Sequence, residues 1–237
     1  ANNLENRFVS KMLLVNLSKA EVHQGHMDAA YAHATKALKM GEEENHAFTV
    51  VSANCVLGNI HVFLQNYTLA LQHFRVAQLR GGYSNDSLYS IENEIDLARA
   101  ITWMGQINEA RELATHAFEV SKQFQMMHLY TMALLTLGLC DILERKLGEA
   151  QAIMLDAEQI AQENGLVYEE TWGKIGQARI ALSRRQFDTA EEKIKEILEV
   201  SDRHNMAWLT LRGLNFCFQL YHATQAPSLL FCQSAFD

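Results

Sequence analysis

The stretch Gln106–Ala117, "QINEARELATHA", sets alanine at 110, 114 and 117. That spacing of i, i+4, i+7 puts all three on one face of a helix. Upstream, "QNYTLALQHFRVA" (65–77) carries Ala70, Phe74 and Ala77 in the same places, and downstream "RQFDTAEEKIKEI" (185–197) carries Ala190, Ile194 and Ile197. The spacing between equivalent positions is 40 residues, without gaps: Ala30, Ala70, Ala110, Ala150 and Ala190 form one column. Ala37, Ala77, Ala117, Ala157 and Ile197 form a second. Ala34, Phe74, Ala114, Met154 and Ile194 lie between them. A large apolar residue always stands three places before the first column: Met27, Tyr67, Ile107, Leu147 and Phe187.

Upstream of each column, Leu17, Leu57, Leu97 and Leu137 recur until Gln177 interrupts them. The next position is always small: Ser18, Gly58, Ala98, Gly138 and Ala178. A small side chain on one helix facing alanines on the next lets the two cross closely, and added bulk there overpacks the crossing. Each unit therefore reads as helix–turn–helix. In the second unit the pattern predicts helices over about 46–64 and 68–80. Gly25, Gly105 and Gly148 are placed in the intervening turn, and Asp28, Asn108 and Asp188 where the second helix would be capped. Gly81-Gly82 and Gly165 punctuate junctions between units.

One such hairpin cannot bury its apolar face alone, whereas stacked hairpins can. The predicted fold is all-α: a right-handed α-solenoid of antiparallel helix pairs. One repeat domain is expected over 1–226, with units at about 4–43, 44–83, 84–123, 124–163 and 164–203 and a partial unit at 204–226. Pro227 falls near the start of the expected last helix, where proline is tolerated, and Leu230 replaces the usual alanine, so 227–237 reads as a truncated helix or tail.

The order of leucine, small residue, turn, large apolar residue, alanine, apolar residue, alanine resembles the tetratricopeptide repeat (TPR). "LG" at 57–58 and 137–138, then Tyr67, Ala70, Phe74 and Ala77, match its spacing. Two departures stand out: the units have 40 residues rather than 34, and Glu42, Gly82, Lys122, Gln162 and Asp202 stand where that family closes on proline. Extra helical turn would account for both. The long unit is similar in style to the sensor repeats of MalT-like transcription activators and peptide-sensing bacterial regulators.

Composition narrows the function. A single proline and twelve glycines in 237 residues suit long helices with short turns. A net charge of −8 disfavours a nucleic-acid surface. No apolar stretch reaches the ~18 residues a membrane span needs, and no signal peptide is visible. Cys55, Cys140, Cys217 and Cys232 are far apart, as expected of reduced thiols in a cytoplasmic protein. The chain starts at Ala1 rather than Met and ends in an apolar run, so both ends read as cut from a longer protein. No metalloprotease, phosphate-loop or serine-hydrolase motif occurs, so no enzyme activity, metal or cofactor is expected. His23, His26 and His33 read as surface residues, because no further ligand stands at zinc-binding spacing.

The TPR resemblance implies that the first helix of each unit lines a concave groove. Mapped onto this chain, one groove column is Met12, Ser52, Glu92, Met132 and Trp172, and a second is Val15, Cys55, Ile95, Leu135 and Ile175. Lys19, Asn59, Arg99, Leu139 and Arg179 form a third, and Val22, Val62, Thr102, Ile142 and Leu182 a fourth. The resemblance thus marks Lys19, Asn59, Arg99, Arg179 and Trp172 as binding residues. The partner it implies is a protein or peptide, acidic or amphipathic, whose carboxylates the arginines would fork. The competing view is that the apolar columns are ordinary core and the cations merely solvated. Three roles stay open: an interaction scaffold, the ligand-sensing module of a larger regulator, and a self-associating spacer.

Overall fold

The computed structural model describes residues 2–81 and 88–224, with side chains over 9–81 and 90–224. Among the described residues the chain is all helix, in the order α1 (Asn2–Gln24), α2 (Met27–Glu43), α3 (Ala47–Phe63), α4 (Tyr67–Gly81), α5 (Leu88–Trp103), α6 (Ile107–Gln123), α7 (Met127–Leu143), α8 (Leu147–Glu163), α9 (Val167–Ser183), α10 (Phe187–Arg203) and α11 (Ala207–Thr224). The ends of α3 and α4 fall within a residue of the sequence expectation. Seven of these helices, α2, α3 and α6 to α10, have 17 residues. Two such helices and two three-residue turns fill the 40-residue period, so longer helices do account for the extra length over a 34-residue unit.

One turn design recurs among the described residues. A residue with positive φ stands at Gly25, Asn45, Gln65, Gly105, Gln125, Arg145, Gly165, Arg185 and Asn205. Each closes the preceding helix as in a Schellman motif: the Asn66 N–H donates to the His61 carbonyl and the Gln65 N–H to that of Val62, and Lys146 and Arg145 repeat this on Asp141 and Ile142. Two sequence expectations change here. The caps of α2 and α6 are His26 and Gln106, with no side-chain cap bond, and Asp28 and Asn108 lie inside the first turn. Asp188 likewise sits in the first turn of α10. There the two aspartates act through the helix dipole rather than as caps. Gly148 is the second residue of α8, and the turn position itself is Arg145.

Contacts divide the chain into two compact units, Ala1–Tyr130 and Thr131–Asp237, the boundary falling inside α7. In unit 1, α1 packs on α2, α2 on α3, α3 on α4, α4 on α5 and α5 on α6. In unit 2, α8 packs on α9, α9 on α10 and α10 on α11. Both units are stacks of helix hairpins of TPR-like kind. The alanine columns are their seams: Ala30, Ala70, Ala110, Ala150 and Ala190 are fully buried, as are Ala34, Ala37, Ala114, Ala117 and Ala157. The small column on the preceding helices faces them as expected. A Cβ added to Gly58 would stand 2.5 Å from the Phe74 ring, and one on Gly138 2.7 Å from Met154 Cε.

Leu57 and Leu97 are buried, but Leu17, the first of that column, is 46% exposed. Leu57 packs in a cluster with Ala30, Ala34 and Ala37 of the preceding helix, and α1 has no such neighbour among the described residues. Pro227, Leu230, Cys232, Gly82 and the tail 227–237 lie outside the described residues. No helix among those described is long and apolar enough to cross a membrane.

Candidate binding surfaces on the first helices of the repeats

The second column of the expected groove is core. Val15, Cys55, Ile95, Leu135 and Ile175 are all buried, and so are Thr102 and Ile142 of the fourth column. Partly exposed in the other columns are Lys19, Asn59, Glu92, Arg99, Trp172 and Arg179, beside the apolar Met12, Val22, Val62 and Leu182, and each unit has its own set.

In unit 1 these residues pair with one another. The Lys19 ammonium on α1 donates to both carboxylate oxygens of Glu92 on α5, at 2.8 and 3.0 Å. Asn59 Nδ2 on α3 donates to Asp96 Oδ2 at 2.7 Å, and the Arg99 guanidinium takes the other Asp96 oxygen. Cys55 Sγ donates to Asn93 Oδ1 at 3.3 Å, and Asn93 Nδ2 to the Phe74 carbonyl. Residues 92, 96 and 99 recur at i, i+4, i+7, so a single face of α5 supplies both acids and the arginine. Burial raises the Asp96 carboxyl above its ordinary value, and the Arg99 charge opposes that shift without cancelling it. Burial works against the Lys19 charge, yet Glu92 holds its pKa above normal. The Cys55 thiol is pushed well above its usual range by burial and by the charges of Asp96 and Glu92.

Of the five residues marked in the sequence, the structure therefore brings Asn59 and Arg99 together on Asp96 and sets Lys19 on Glu92. The acids were not marked. Glu92 stood in a mapped groove column, and the i, i+4, i+7 run ending at Arg99 was the readable signal.

In unit 2 the corresponding face is aromatic. Trp172 on α9 meets Tyr168 edge-on at 6.4 Å. The Arg212 guanidinium on α11 lies 5.7 Å from the Trp172 ring and 4.5 Å from that of Trp208. Arg179 on α9 stacks over Phe216 at 6.0 Å. Trp172 and Trp208 are partly buried and pack on the cluster around Ile175, Ile194 and Leu209, so Trp172 is both packed and partly open. Arg212 occupies the repeat position of Glu92 and Trp172, 40 residues beyond the latter, and was missed because the sixth unit was read only as fading.

A second ionic group in unit 2 is structural in character. Lys174, its side chain 9% exposed, reaches Glu158 at 2.7 Å, Glu196 at 2.9 Å and Glu170 at 3.3 Å. It ties α8, α9 and α10 together. Burial alone would raise the Glu196 carboxyl, but hydrogen bonds from Lys174 and Lys193 outweigh it and hold the pKa low. Lys174 is held well above its ordinary value by the Glu158 and Glu196 carboxylates despite burial. Lys193 of α10 joins the group through Glu196, donating to its carboxylate beside Lys174. Among the first-turn histidines, His33 meets Glu21 at 2.8 Å, and no group of metal-ligating residues occurs among the described residues.

No protein-family model matches the chain, and no curated protein does. Solved structures do. The chain is similar to a Rap protein crystallised with competence and sporulation factor, at 15% identity and a TM-score of 0.72, covering 94% of this chain and 68% of that one. The apo form of RapI gives 14% identity and a TM-score of 0.61 over 90% of this chain and 85% of that one. The Pseudomonas aeruginosa protein pilF gives 12% and 0.56, over 98% of this chain and 100% of that one. At these identities the likeness is one of fold, and the fold is the TPR-like helical repeat.

Proposed function

We propose that the chain is a non-catalytic protein- or peptide-binding scaffold that takes its partner on the first helices of the repeats. The carrying observation is that partly exposed polar and aromatic residues gather there, in a fold whose seams are otherwise sealed by alanine. In unit 1 the binding residues are Lys19, Asn59 and Arg99, and in unit 2 Trp172 and Arg179. Aromatic and arginine side chains half-sunk in a packed surface are common anchors for a bound chain. The Rap protein of similar fold was crystallised with competence and sporulation factor, which favours a ligand bound by a repeat array of this kind.

The test is a thermal-shift screen against short peptides, acidic and amphipathic sequences included, followed by hydrogen-exchange footprinting of any that raise the melting temperature. Protection is expected on α1, α3, α5, α9 or α11. A footprint on the outer faces of α4, α6 or α8 sinks the proposal, as does a screen without a hit at millimolar peptide.

A second reading is a ligand-sensing module of a larger signal-responsive regulator of MalT-like kind, supported by the long repeat unit. A DNA-binding or nucleotide-binding domain in the same gene product would favour it, and plain continuation of the repeat would favour the scaffold.

A further inference from the structure

Lys19 and Glu92 are 73 residues apart and belong to the first and third repeats. The helix between them, α3, packs on both α1 and α5. It sets Cys55 and Asn59 in the interval, and Cys55 is buried while both charged side chains stay about one-third exposed. An ion pair that skips a repeat differs from links between adjacent repeats of unit 1. Arg75 to Glu109 joins second helices of adjacent repeats, and Asn59 to Asp96 joins neighbouring first helices. A repeat array bends through small rotations at each seam, so a bond from the first unit to the third constrains two seams at once.

We propose that the Lys19–Glu92 pair is an electrostatic strap: it ties the first repeat to the third across the inner face of unit 1 and gates access to the polar floor of Cys55, Asn59 and Asn93 beneath it. A partly exposed pair contributes little to stability, so the strap opens readily under salt or competition. A carboxylate brought by a partner would exchange with Glu92 at Lys19. The strap goes beyond the binding proposal, because unit 1 closes on its own side chains and the closure is measured with no partner present.

Cys55 is the reporter. Its modification by N-ethylmaleimide, followed site by site by peptide mass spectrometry, needs local opening, and Cys140 and Cys217, both buried in unit 2, report global loosening. Lys19→Gln is expected to speed labelling of Cys55 at least about threefold relative to both controls. The direct effect of losing that cation runs the other way, since it raises the thiol pKa and slows thiolate attack. Lys19→Arg should restore the slow rate, and 1 M salt should speed Cys55 in the unsubstituted protein. An unchanged Cys55 rate in Lys19→Gln overturns the strap, as does a rise shared equally by all three thiols. Either result leaves the peptide screen standing.

Discussion

The left-handed residue in each described turn marks where single side chains matter most. Gly25, Gly105 and Gly165 take that conformation without penalty, whereas Arg145 and Arg185 hold it with a Cβ that clashes with the backbone. Arg185→Gly and Arg145→Gly are each expected to stabilise the protein by about 0.5–1 kcal/mol, read from denaturant midpoints at constant slope. Loss of stability would mean that the arginine side chains contribute more than the strain costs. The helix crossings behave in the opposite sense. Gly58→Ala drives a methyl against the rigid Phe74 ring and is expected to cost about 1–3 kcal/mol. Gly138→Ala meets the flexible end of Met154 and should cost less. Equal costs in the same denaturation assay would show that the ring moves as freely as the thioether.

Among the elements, α8, α9 and α10 are pinned by the Lys174 group, and its titration has a defined sign. Glu196 is held below its ordinary pKa, so its contribution is present above the unfolded value and fades as pH falls through the folded one. Lys174 is held above its ordinary value, so its contribution is full below the unfolded value near 10.5 and fades as pH rises through the folded one. Unit 2 should therefore lose stability below about pH 4.5. Lys174→Ala leaves Glu158 and its neighbours without their counter-charge and is expected to cost about 3 kcal/mol at pH 7, with the acid loss flattened in the variant. A variant whose acid profile parallels the parent's would remove this group from the account. The group was illegible in the sequence because Lys174 stands in a column of leucine, asparagine and glutamate (Leu14, Asn54, Glu94, Leu134), where periodicity predicts only partial burial.

Over the whole molecule, damage should stay local, since repeats depend on their immediate neighbours. Ala110→Leu fills the α5–α6 crossing and should cost about 1–3 kcal/mol. Hydrogen exchange should show lost protection in α4 to α6 while α9 to α11 stay near the parent. Uniform loss along the chain would mean that unfolding is cooperative over both units. The same locality explains how legible the fold was. The 40-residue period, the helix pairs and the buried alanines could all be read because each repeat presents the same problem to its neighbours, and every copy repeats the answer.

The amino-acid sequence by itself determined the all-helical class, the hairpin register and the seam residues, because a close helix crossing admits only small side chains and leaves that demand in the same column each time. It also marked Lys19, Asn59 and Arg99 as polar positions on the first helices. Which partners those side chains take was decided only by the tertiary structure. A charge pairs with whatever acid lies within a few ångströms, and Glu92 reaches Lys19 from two repeats away through a separation no short-range pattern encodes.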